Sequence, residues 1–353
     1  MPIGIGVLGY GYWGPNLVRN FWATPGCRVV AVGDPRDITR KAVAETFPRI
    51  DTYADSDDVL ARGDVDAVVI ATPVSTHYSL ACKALDRGKH VLIEKPMCQS
   101  SAEAEDLLAR ARRSQRVLMV DHTFLFTGAV QTIARIIRKG ELGKICYFDT
   151  MRVNLGLFQP DVNCLWDLAP HDLSIVDYLV DDEVVAVEAT GYCHMNPGTP
   201  DMVFMTVHYA SERVSHFNLS WMSPVKIRRT TIGGTSKMLI WDDLDQDQKI
   251  KIYDHGIELH TEEQRPLIVP QYRIGDIHSP RVPISEALAG VAEHFVKVIH
   301  GETRSIMDGN KGLRVVQLLE TAQHQLDKSL AHIAAQRAAV SVAAKRDLKL
   351  NRR

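Results

Sequence analysis

The chain has 353 residues, of which 45% are hydrophobic and 24% are charged, and its formal net charge is −2. This length and apolar content predict a globular protein with two domains, and the lack of a basic patch near its motifs argues against nucleic acid as a partner. No run approaches about 18 apolar residues, no basic leader is present and six cysteines are scattered, so we expect a cytoplasmic protein with reduced thiols and no membrane partner.

The start of the chain carries the most informative motif. The apolar run Ile5-Gly6-Val7-Leu8 is followed by Gly9-Tyr10-Gly11-Tyr12-Trp13-Gly14 and then by a helical stretch. A strand, a G-x-G-x-x-G turn and a helix together present backbone N–H groups to a pyrophosphate. Gly9 suits the tight turn, Gly11 the close approach of the backbone to phosphate, and Gly14 the packing of helix on strand.

A second apolar run, 28–33, ends in Asp34, about 20 residues after the last glycine, where an acid binds the ribose hydroxyls. A carboxylate there repels a 2′-phosphate, so NAD is favoured over NADP. Arg36 lies two residues on and can offset part of this repulsion. A glycine-rich turn with a surface aspartate is the alternative interpretation.

Up to about residue 121, short apolar runs alternate with helical stretches. The runs are 65–70, 90–93 and 116–120, and helices are predicted to Asp86 and over 101–114. Apolar strands separated by helices are typical of a parallel sheet covered on both faces. We therefore predict an α/β fold that opens with a doubly wound Rossmann domain over residues 1–122.

Beyond a linking helix near 128–139 the pattern changes. Strand-like runs follow one another near 144–154, 184–194, 201–210, 213–222, 225–233 and 236–241. Helices are predicted near 170–180, 285–300 and 310–335. Consecutive strands indicate a C-terminal α+β domain, residues 123–335, built on a large, mostly antiparallel open sheet. A second subunit is expected to cover its free face, in a homodimer or homotetramer, and residues 336–353 are expected to form a basic tail.

Lys95 stands in Glu94-Lys95-Pro96, at the carboxyl end of a predicted parallel strand, where open α/β sheets bind ligands. A lysine beside a nicotinamide could stabilise negative charge on a substrate oxygen. Pro96 suggests a cis or tightly turned peptide. A surface lysine before a turn proline is the alternative.

A second group, Asp167 and His171, lies four residues apart in Trp166-Asp167-Leu168-Ala169-Pro170-His171-Asp172. Because proline prefers the first turn, Asp167 is expected at or just outside the N-cap. A histidine suits a general base for an alcohol, and an aspartate can set its tautomer or bind a neighbouring hydroxyl. An aspartate cap with an incidental histidine is equally compatible with the sequence.

Other positions give weaker signals. Thr72, Pro73 and His77 follow a parallel strand and could line the cofactor, or could form an ordinary capped turn. Arg152 and Asn154 could hold substrate hydroxyls or phosphates, although an arginine on a strand is as often half-solvated. No metal-ligand spacing is present, so no metal site is predicted.

Taken in order, the G-x-G-x-x-G, the Ala71-Thr72-Pro73 segment with His77, the Glu94-Lys95-Pro96 motif and the Asp167/His171 pair resemble the Gfo/Idh/MocA oxidoreductase family. The resemblance implies that Lys95 and His171, supported by Asp167, act beside the nicotinamide in hydride transfer with a sugar or cyclitol carbon. It also implies cofactor contacts from Tyr12, Trp13 and Glu94.

Within that family, the first motif, Asp121-His122-Thr123-Phe124 and the segment from Trp166 to Asp172 are similar to the branch acting on nucleotide-linked sugars. The similarity implies substrate contacts from His122 and Trp166 and oxidation of the 3-hydroxyl of UDP-N-acetylglucosamine or its uronate, feeding amino-sugar biosynthesis. A keto-sugar reductase, a free inositol or sugar dehydrogenase and a non-catalytic NAD sensor remain alternatives.

Overall fold

The computed structural model describes residues 2–156, 162–258 and 271–350. Within these ranges the chain forms two β-sheets, one of six strands and one of eight. Residues 351–353 and the side chains of 342–350, where the basic tail was expected, lie outside what the structure describes.

The first sheet is entirely parallel and has the order β3-β2-β1-β4-β5-β6. Its strands are β1 (Ile3–Leu8), β2 (Cys27–Gly33), β3 (Asp51–Tyr53), β4 (Ala67–Ile70), β5 (His90–Glu94) and β6 (Leu118–Asp121). The strand order reverses between β1 and β4, which opens a crevice at their carboxyl ends. This confirms the predicted Rossmann sheet and its placement of the glycine motif.

Five helices belong to this part of the chain. They are α1 (Gly14–Ala23), α2 (Asp37–Thr46), α3 (Ser56–Ala61), α4 (Val74–Asp86) and α5 (Ser101–Ser114). Strands β1 and β4 are buried along their whole length, which is why their sequences are continuously apolar. Strand β3 and helices α2 and α3 are too short or too polar to have been predicted from the sequence.

A 3₁₀ turn (Thr123–Phe126) and helix α6 (Gly128–Arg138) lead to the second sheet. Its order is β14-β13-β12-β11-β7-β10-β9-β8, and β7 with β10 is its parallel pair. The strands are β7 (Ile145–Leu155), β8 (Val184–Tyr192), β9 (Met202–Tyr209), β10 (Val214–Ser220), β11 (Met222–Gly234), β12 (Met238–Asp242), β13 (Ile250–Glu258) and β14 (Gln271–His278). The mostly antiparallel sheet is therefore confirmed, with β13 and β14 as strands that the sequence did not predict.

Three further helices are α7 (Cys164–Leu179), α8 (Ala287–Ile299) and α9 (Gly309–Leu350). Helix α7 packs on β7, β9 and β10, and α9 packs on β8 and reaches back to α5 and β6. On β7, Phe148, Thr150 and Arg152 are buried under these helices while the intervening residues are exposed. One face of the second sheet is thus covered within the chain.

Two helix boundaries differ from the prediction. Helix α7 begins at Cys164, because the Asn163 side chain caps it by accepting hydrogen bonds from the N–H groups of Leu165 and Trp166. Pro170 is therefore inside the helix, and the expectation that Asp167 sits at the N-cap is wrong. Helix α9 continues past residue 335, because the alanine-rich sequence that follows contains neither glycine nor proline.

Candidate active site

The three motif glycines each answer a different steric demand. Gly9 has φ +90°, and a Cβ there would lie 2.6 Å from the carbonyl oxygen of Ala71. A Cβ at Gly14 would lie 2.5 Å from the carbonyl oxygen of Gly9, so strand and helix pack in direct contact. At Gly11 a Cβ would meet only the tip of Arg36 at 3.9 Å, so the backbone faces open space. Gly9 therefore meets the steric demand of a tight turn and Gly14 that of close packing, and the phosphate contact at Gly11 stays a prediction.

Helix α1 begins directly after this turn, and no side chain caps its N-terminus. Pro15 has no N–H, and the N–H groups of Asn16 and Leu17 donate to the carbonyl oxygen of Trp13 at 3.0 and 3.1 Å, so an anionic ligand would meet the positive end of the helix dipole and the backbone of the glycine turn. Tyr12 and Trp13 are 77% and 39% exposed, with ring centroids 5.5 Å apart in an edge-on arrangement. Both aromatic side chains lie at the mouth of a cavity that also contains Lys95.

Asp34 closes β2 with a buried carboxylate whose two oxygens are both engaged. Oδ2 accepts from the backbone N–H of Tyr10 at 2.9 Å and from Arg36 Nη2 at 2.9 Å, and Oδ1 accepts from the Arg36 backbone and Nε, both at 3.0 Å. Burial acts to raise the pKa of Asp34, but the hydrogen bonds from Arg36 and Tyr10 outweigh it and hold the pKa below its ordinary value. Asp34 is ionised, and Arg36 lies over it at the surface.

Two adjoining cavities run along the crevice between β1 and β4. The larger, of about 890 Å³, is lined by Gly9, Asp34 and Arg36, and the smaller, of about 480 Å³, by Tyr12, Lys95 and Asp167. They share Gly11 and the Ala71-Thr72-Pro73 segment. The bare backbone at Gly11, the start of α1 and the carboxylate of Asp34 fit a dinucleotide cofactor.

His77 is buried in the wall of the smaller cavity. Its ring nitrogens lie 2.8 Å from the carbonyl oxygen of Thr72 and 2.9 Å from that of Pro96. The ring thus connects the loop after β4 to the loop after β5. Thr72 and Pro73 line both cavities and His77 lines the smaller one, so the cofactor contacts of all three stay predictions.

Lys95 connects the two sheets. It follows β5, its peptide bond to Pro96 is cis, and Nζ donates to the backbone carbonyl of Asp167 at 2.8 Å and to Asp167 Oδ1 at 3.2 Å. Asp167 Oδ2 accepts from Trp221 Nε1 at 3.1 Å. No hydrogen bond between Asp167 and His171 occurs among the described residues, so Asp167 orients Lys95 and does not set the tautomer of His171, contrary to that interpretation.

A buried pair of carboxyl groups lies behind Lys95. Glu94 and Asp121 are register neighbours on β5 and β6, and Glu94 Oε2 accepts from the Lys95 backbone N–H at 3.3 Å. Burial and the adjacent Asp121 raise the pKa of Glu94 well above its ordinary value, and burial raises that of Asp121 to about 6. Two adjacent carboxyl groups in this setting retain a shared proton towards neutral pH.

His171 lies on α7 between positive charges. Its ring meets the Phe124 ring edge-on at 5.0 Å, and its Nδ1 is buried without a hydrogen-bond partner among the described residues. Burial lowers the pKa of His171 well below 6.5, and Lys95, Arg152 and Arg228 lower it further. The imidazole is neutral at neutral pH, as a general base must be.

The remaining predicted substrate contacts have varied surroundings. Arg152 is buried and donates from Nε and Nη2 to Asp172 at 2.7 and 2.6 Å, so its charge is already matched. Asn154 donates to the neighbouring carbonyl of Leu155, and Trp166 donates from Nε1 to Gln323. Both nitrogens of His122 are buried without partners in the described part of the chain, and burial lowers its pKa to about 3. Trp166 is the one of these four that lines the smaller cavity.

Arg228 is a residue of this region that sequence reasoning missed. It lies on β11 directly opposite Arg152 of β7. Run 225–233 was predicted as a strand, but only the strand register places Arg228 opposite Arg152, near the helix that carries His171.

Among the described residues no group of three or more His, Cys, Asp or Glu side chains could hold a metal ion. Within the same ranges no helix combines the length and apolar content needed to span a bilayer.

Comparison with known proteins identifies two matching family models. Residues 3–122 match the oxidoreductase family with an NAD-binding Rossmann fold, and residues 130–240 match the GFO/IDH/MocA C-terminal domain.

Similar proteins of known name differ in their substrates. The chain is 29% identical over 250 residues to scyllo-inositol 2-dehydrogenase (NAD(+)) of Bacillus subtilis, covering 67% of this chain and 72% of the relative. It is 26% identical to 2,7-anhydro-N-acetylneuraminate hydratase of Mediterraneibacter gnavus, over 73% and 77% of the two chains. Among solved structures, UDP-N-acetylglucosamine 3-dehydrogenase of Acidithiobacillus ferrooxidans superimposes with a TM-score of 0.78 at 25% identity, covering 94% of this chain and 99% of that one.

Proposed function

Because the chain belongs to the Gfo/Idh/MocA family and is an NAD-dependent oxidoreductase, we propose that it oxidises the 3-hydroxyl of a nucleotide-linked sugar to a 3-keto sugar. The proposed substrate is UDP-N-acetylglucosamine or its uronate. One observation carries the chemistry: Lys95, held by Asp167, lies at the junction of the cofactor crevice with the helix that bears His171. The similarity in fold to a UDP-N-acetylglucosamine 3-dehydrogenase supports the substrate.

Lys95 is proposed to bind the reacting oxygen. An ammonium group has three N–H donors, and two of them face Asp167. The third can donate to the substrate hydroxyl and stabilise the negative charge that develops on it. The bound NAD supplies the hydride acceptor. Asp167, itself held by Trp221, keeps the Lys95 side chain in place through two hydrogen bonds.

His171 is proposed to accept the hydroxyl proton. Since its Nδ1 is buried, Nε2 is the ring nitrogen available to a substrate. The cations around the ring disfavour protonation of His171, but they stabilise the sugar alkoxide by the same field. The proton and the hydride therefore leave the sugar in a site that favours negative charge on oxygen.

The cofactor contacts follow from the crevice. Gly9, Gly11 and Gly14 with the N-terminus of α1 are proposed to hold the pyrophosphate, and Asp34 the adenosine ribose. Tyr12 and Trp13 flank the cofactor at the surface, and Thr72 and Pro73 line it. His77 and Glu94 support the loops that carry these contacts. Trp166 and His122 are proposed to shape the sugar site.

Oxidation can be tested with purified protein and NAD by following NADH formation. The substrates are UDP-N-acetylglucosamine, UDP-N-acetylglucosaminuronate, myo-inositol and glucose, added separately. We expect NADH with a UDP-sugar and a product lighter by two hydrogens. NADH with myo-inositol or glucose alone would overturn the nucleotide-sugar proposal.

A free-polyol dehydrogenase is the second candidate, favoured by the similarity to scyllo-inositol 2-dehydrogenase. The similarity to a hydratase raises a different possibility, because such an enzyme adds or removes water. A hydratase would change the mass of its substrate by one water and leave no net NADH. The assay above, read by both absorbance and mass, separates these outcomes.

The division into a cofactor domain, residues 1–122, and a substrate domain, 123–335, is part of this proposal, as is a homo-oligomer formed through the second sheet. The outer face of that sheet exposes Tyr147 and Met151 and carries a depression of about 700 Å³ beside Val225. Exposed apolar side chains on an open sheet face favour a second copy as its cover. Analytical ultracentrifugation should give a dimer or tetramer, and a monomer at micromolar concentration would contradict this assembly.

A further inference from the structure

Two arginines face each other in the second sheet. Arg228 of β11 and Arg152 of β7 are directly opposite in the antiparallel register. Their guanidinium carbons lie 5.6 and 4.7 Å from the centre of the Phe124 ring. Like charges directly opposite on neighbouring strands are destabilising. The arrangement therefore needs negative charge to balance it.

The charges of the two arginines are neutralised to different extents. Arg152 forms two short hydrogen bonds with Asp172, and both side chains are buried. Arg228 has Asp243 as its carboxylate contact among the described residues, at 3.5 Å, the limit of a hydrogen bond. Asp243 is also shared with Lys249 at 3.9 Å. The positive charge of Arg228 is therefore matched poorly.

Arg228 is half-buried. Its side chain is 34% exposed, so part of it remains open to a ligand. Partial burial lowers its pKa below the ordinary arginine value, and Arg152 lowers it further. A half-buried guanidinium without a bidentate partner is suited to binding a planar pair of anionic oxygens.

The position of Arg228 relates it to the proposed chemistry. His171 meets the same Phe124 ring at 5.0 Å, and Arg228 is one of the cations that act on that imidazole. A sugar ring that presents a hydroxyl to His171 is therefore close to Arg228 at another of its atoms. Arg152 is less suited to this role, because its Nε–Nη2 edge is occupied by Asp172 and its charge is matched there.

We propose that Arg228 binds an anionic group of the substrate, a carboxylate or a phosphate, next to the carbon that is oxidised. This inference rests on the proposed function. Two sources could supply the oxygens: a carboxylate on the sugar ring, as in a uronate, or the diphosphate of a nucleotide sugar. Either would make the enzyme selective for acidic over neutral sugars.

Binding to the NAD-loaded enzyme, measured by calorimetry, tests the proposal without requiring turnover. The probes are UDP-N-acetylglucosaminuronate, UDP-N-acetylglucosamine, D-glucuronate and D-glucose. We expect Arg228→Gln to raise the dissociation constants of the charged probes by about 10- to 100-fold, the range for a lost hydrogen bond to a charged group. Arg228→Lys should recover part of the loss, which shows that the variant fold is intact.

Arg87→Gln is the matched control, because Arg87 is a surface arginine of the other domain that pairs with Asp57 at 2.7 Å. It should bind all probes as the wild type does. If Arg228→Gln weakens the binding of both UDP-sugars equally and leaves the binding of glucuronate unchanged, the diphosphate supplies the anionic oxygens. If it weakens the binding of the two uronates selectively, the sugar carboxylate supplies them.

Three results would overturn the inference: unchanged binding in Arg228→Gln, an equal loss for glucose, or a wild type that binds charged probes no better than glucose. Failure of the proposed function can be distinguished from failure of this inference. NADH formation without any effect of Arg228 supports the function alone, and Arg228-dependent anion binding without NADH formation supports the anion site alone.

Discussion

Lys95 Nζ donates to the backbone carbonyl of Asp167 at 2.8 Å and contacts the Asp167 carboxylate at 3.2 Å, joining residues that are 72 positions apart. Lys95 directly follows β5 of the parallel sheet, and Asp167 lies in the first turn of α7, which packs on the antiparallel sheet. The proposed catalytic group is thus assembled only when the two sheets pack together.

Lys95→Met should lower turnover by about 100-fold or more, because it removes the donor that stabilises the developing oxyanion. NAD affinity should be nearly unchanged, since the glycine turn and Asp34 are untouched. Steady-state rates and NAD titration of the same preparation check this. Lys83→Met, which removes a surface lysine paired with Asp57, is the control. Parallel loss of NAD binding in Lys95→Met would assign the lysine to the cofactor site instead.

His171→Ala should lower turnover by about 100- to 10,000-fold, the usual contribution of a general base. The wild-type oxidation rate should stay flat as pH falls through 6.5, because the lowered pKa keeps His171 unprotonated there. A pH profile of kcat/KM for the wild type measures this. A rate that declines with a midpoint near 6.5 would contradict the neutral, buried base.

Asp34→Ser should shift cofactor preference from NAD towards NADP. The substitution removes the carboxylate that repels a 2′-phosphate and releases Arg36, whose guanidinium now binds Asp34 through two hydrogen bonds. The ratio of kcat/KM for the two cofactors is the measurement. Asp37→Ser, on the exposed Asp37–Lys41 pair, should leave the ratio unchanged. An unaltered ratio in Asp34→Ser would remove Asp34 from the ribose site.

Asp172→Asn should destabilise the fold by about 3–5 kcal/mol, because it leaves Arg152 as a buried charge without its partner. Urea unfolding gives the free energy. Glu293→Gln, which breaks the exposed pair with Lys297, should cause no measurable change. Equal effects of the two substitutions would show that the Arg152–Asp172 pair is not the source of the cost.

Asp121→Asn should change how stability depends on pH. Asp121 has a pKa of about 6 in the fold and 3.8 ordinarily, so the folded state holds a proton that the unfolded state releases. Its contribution to stability is full below the lower value and is lost as pH rises through about 6. The free energy of unfolding of the wild type relative to Asp121→Asn should therefore fall over this range. A constant difference would contradict the shared proton.

The sequence was sufficient for the architecture but not for the partners within the site. Apolar runs and the glycine motif led to the parallel sheet, and consecutive strand-like runs led to the antiparallel one. The start of α7 was predicted too late because proline was taken as a first-turn signal, while Asn163 caps the helix two turns earlier. Local patterns of this kind report a residue's neighbours along the chain only.

Contacts between sheets and strands depend on register and packing, which no local pattern records. The sequence therefore gave no sign that Asp167 would bind Lys95, that Asp172 would occupy Arg152, or that Arg228 would lie opposite Arg152. Charged residues at inward positions of predicted strands would have been the useful signal. Arg152 was predicted as a substrate contact because its strand leads toward the Asp167 segment, and the same strand logic did not extend to Arg228.

The most direct test follows deuterium placed at C3 of UDP-N-acetylglucosamine and of its uronate. With the wild-type enzyme and NAD, the account predicts that deuterium from one of these substrates appears in the reduced nicotinamide as a 3-keto sugar forms. Lys95→Met should suppress this transfer. Reduced cofactor without deuterium, or no reduction with either UDP-sugar while myo-inositol is oxidised, would contradict the proposed oxidation at C3.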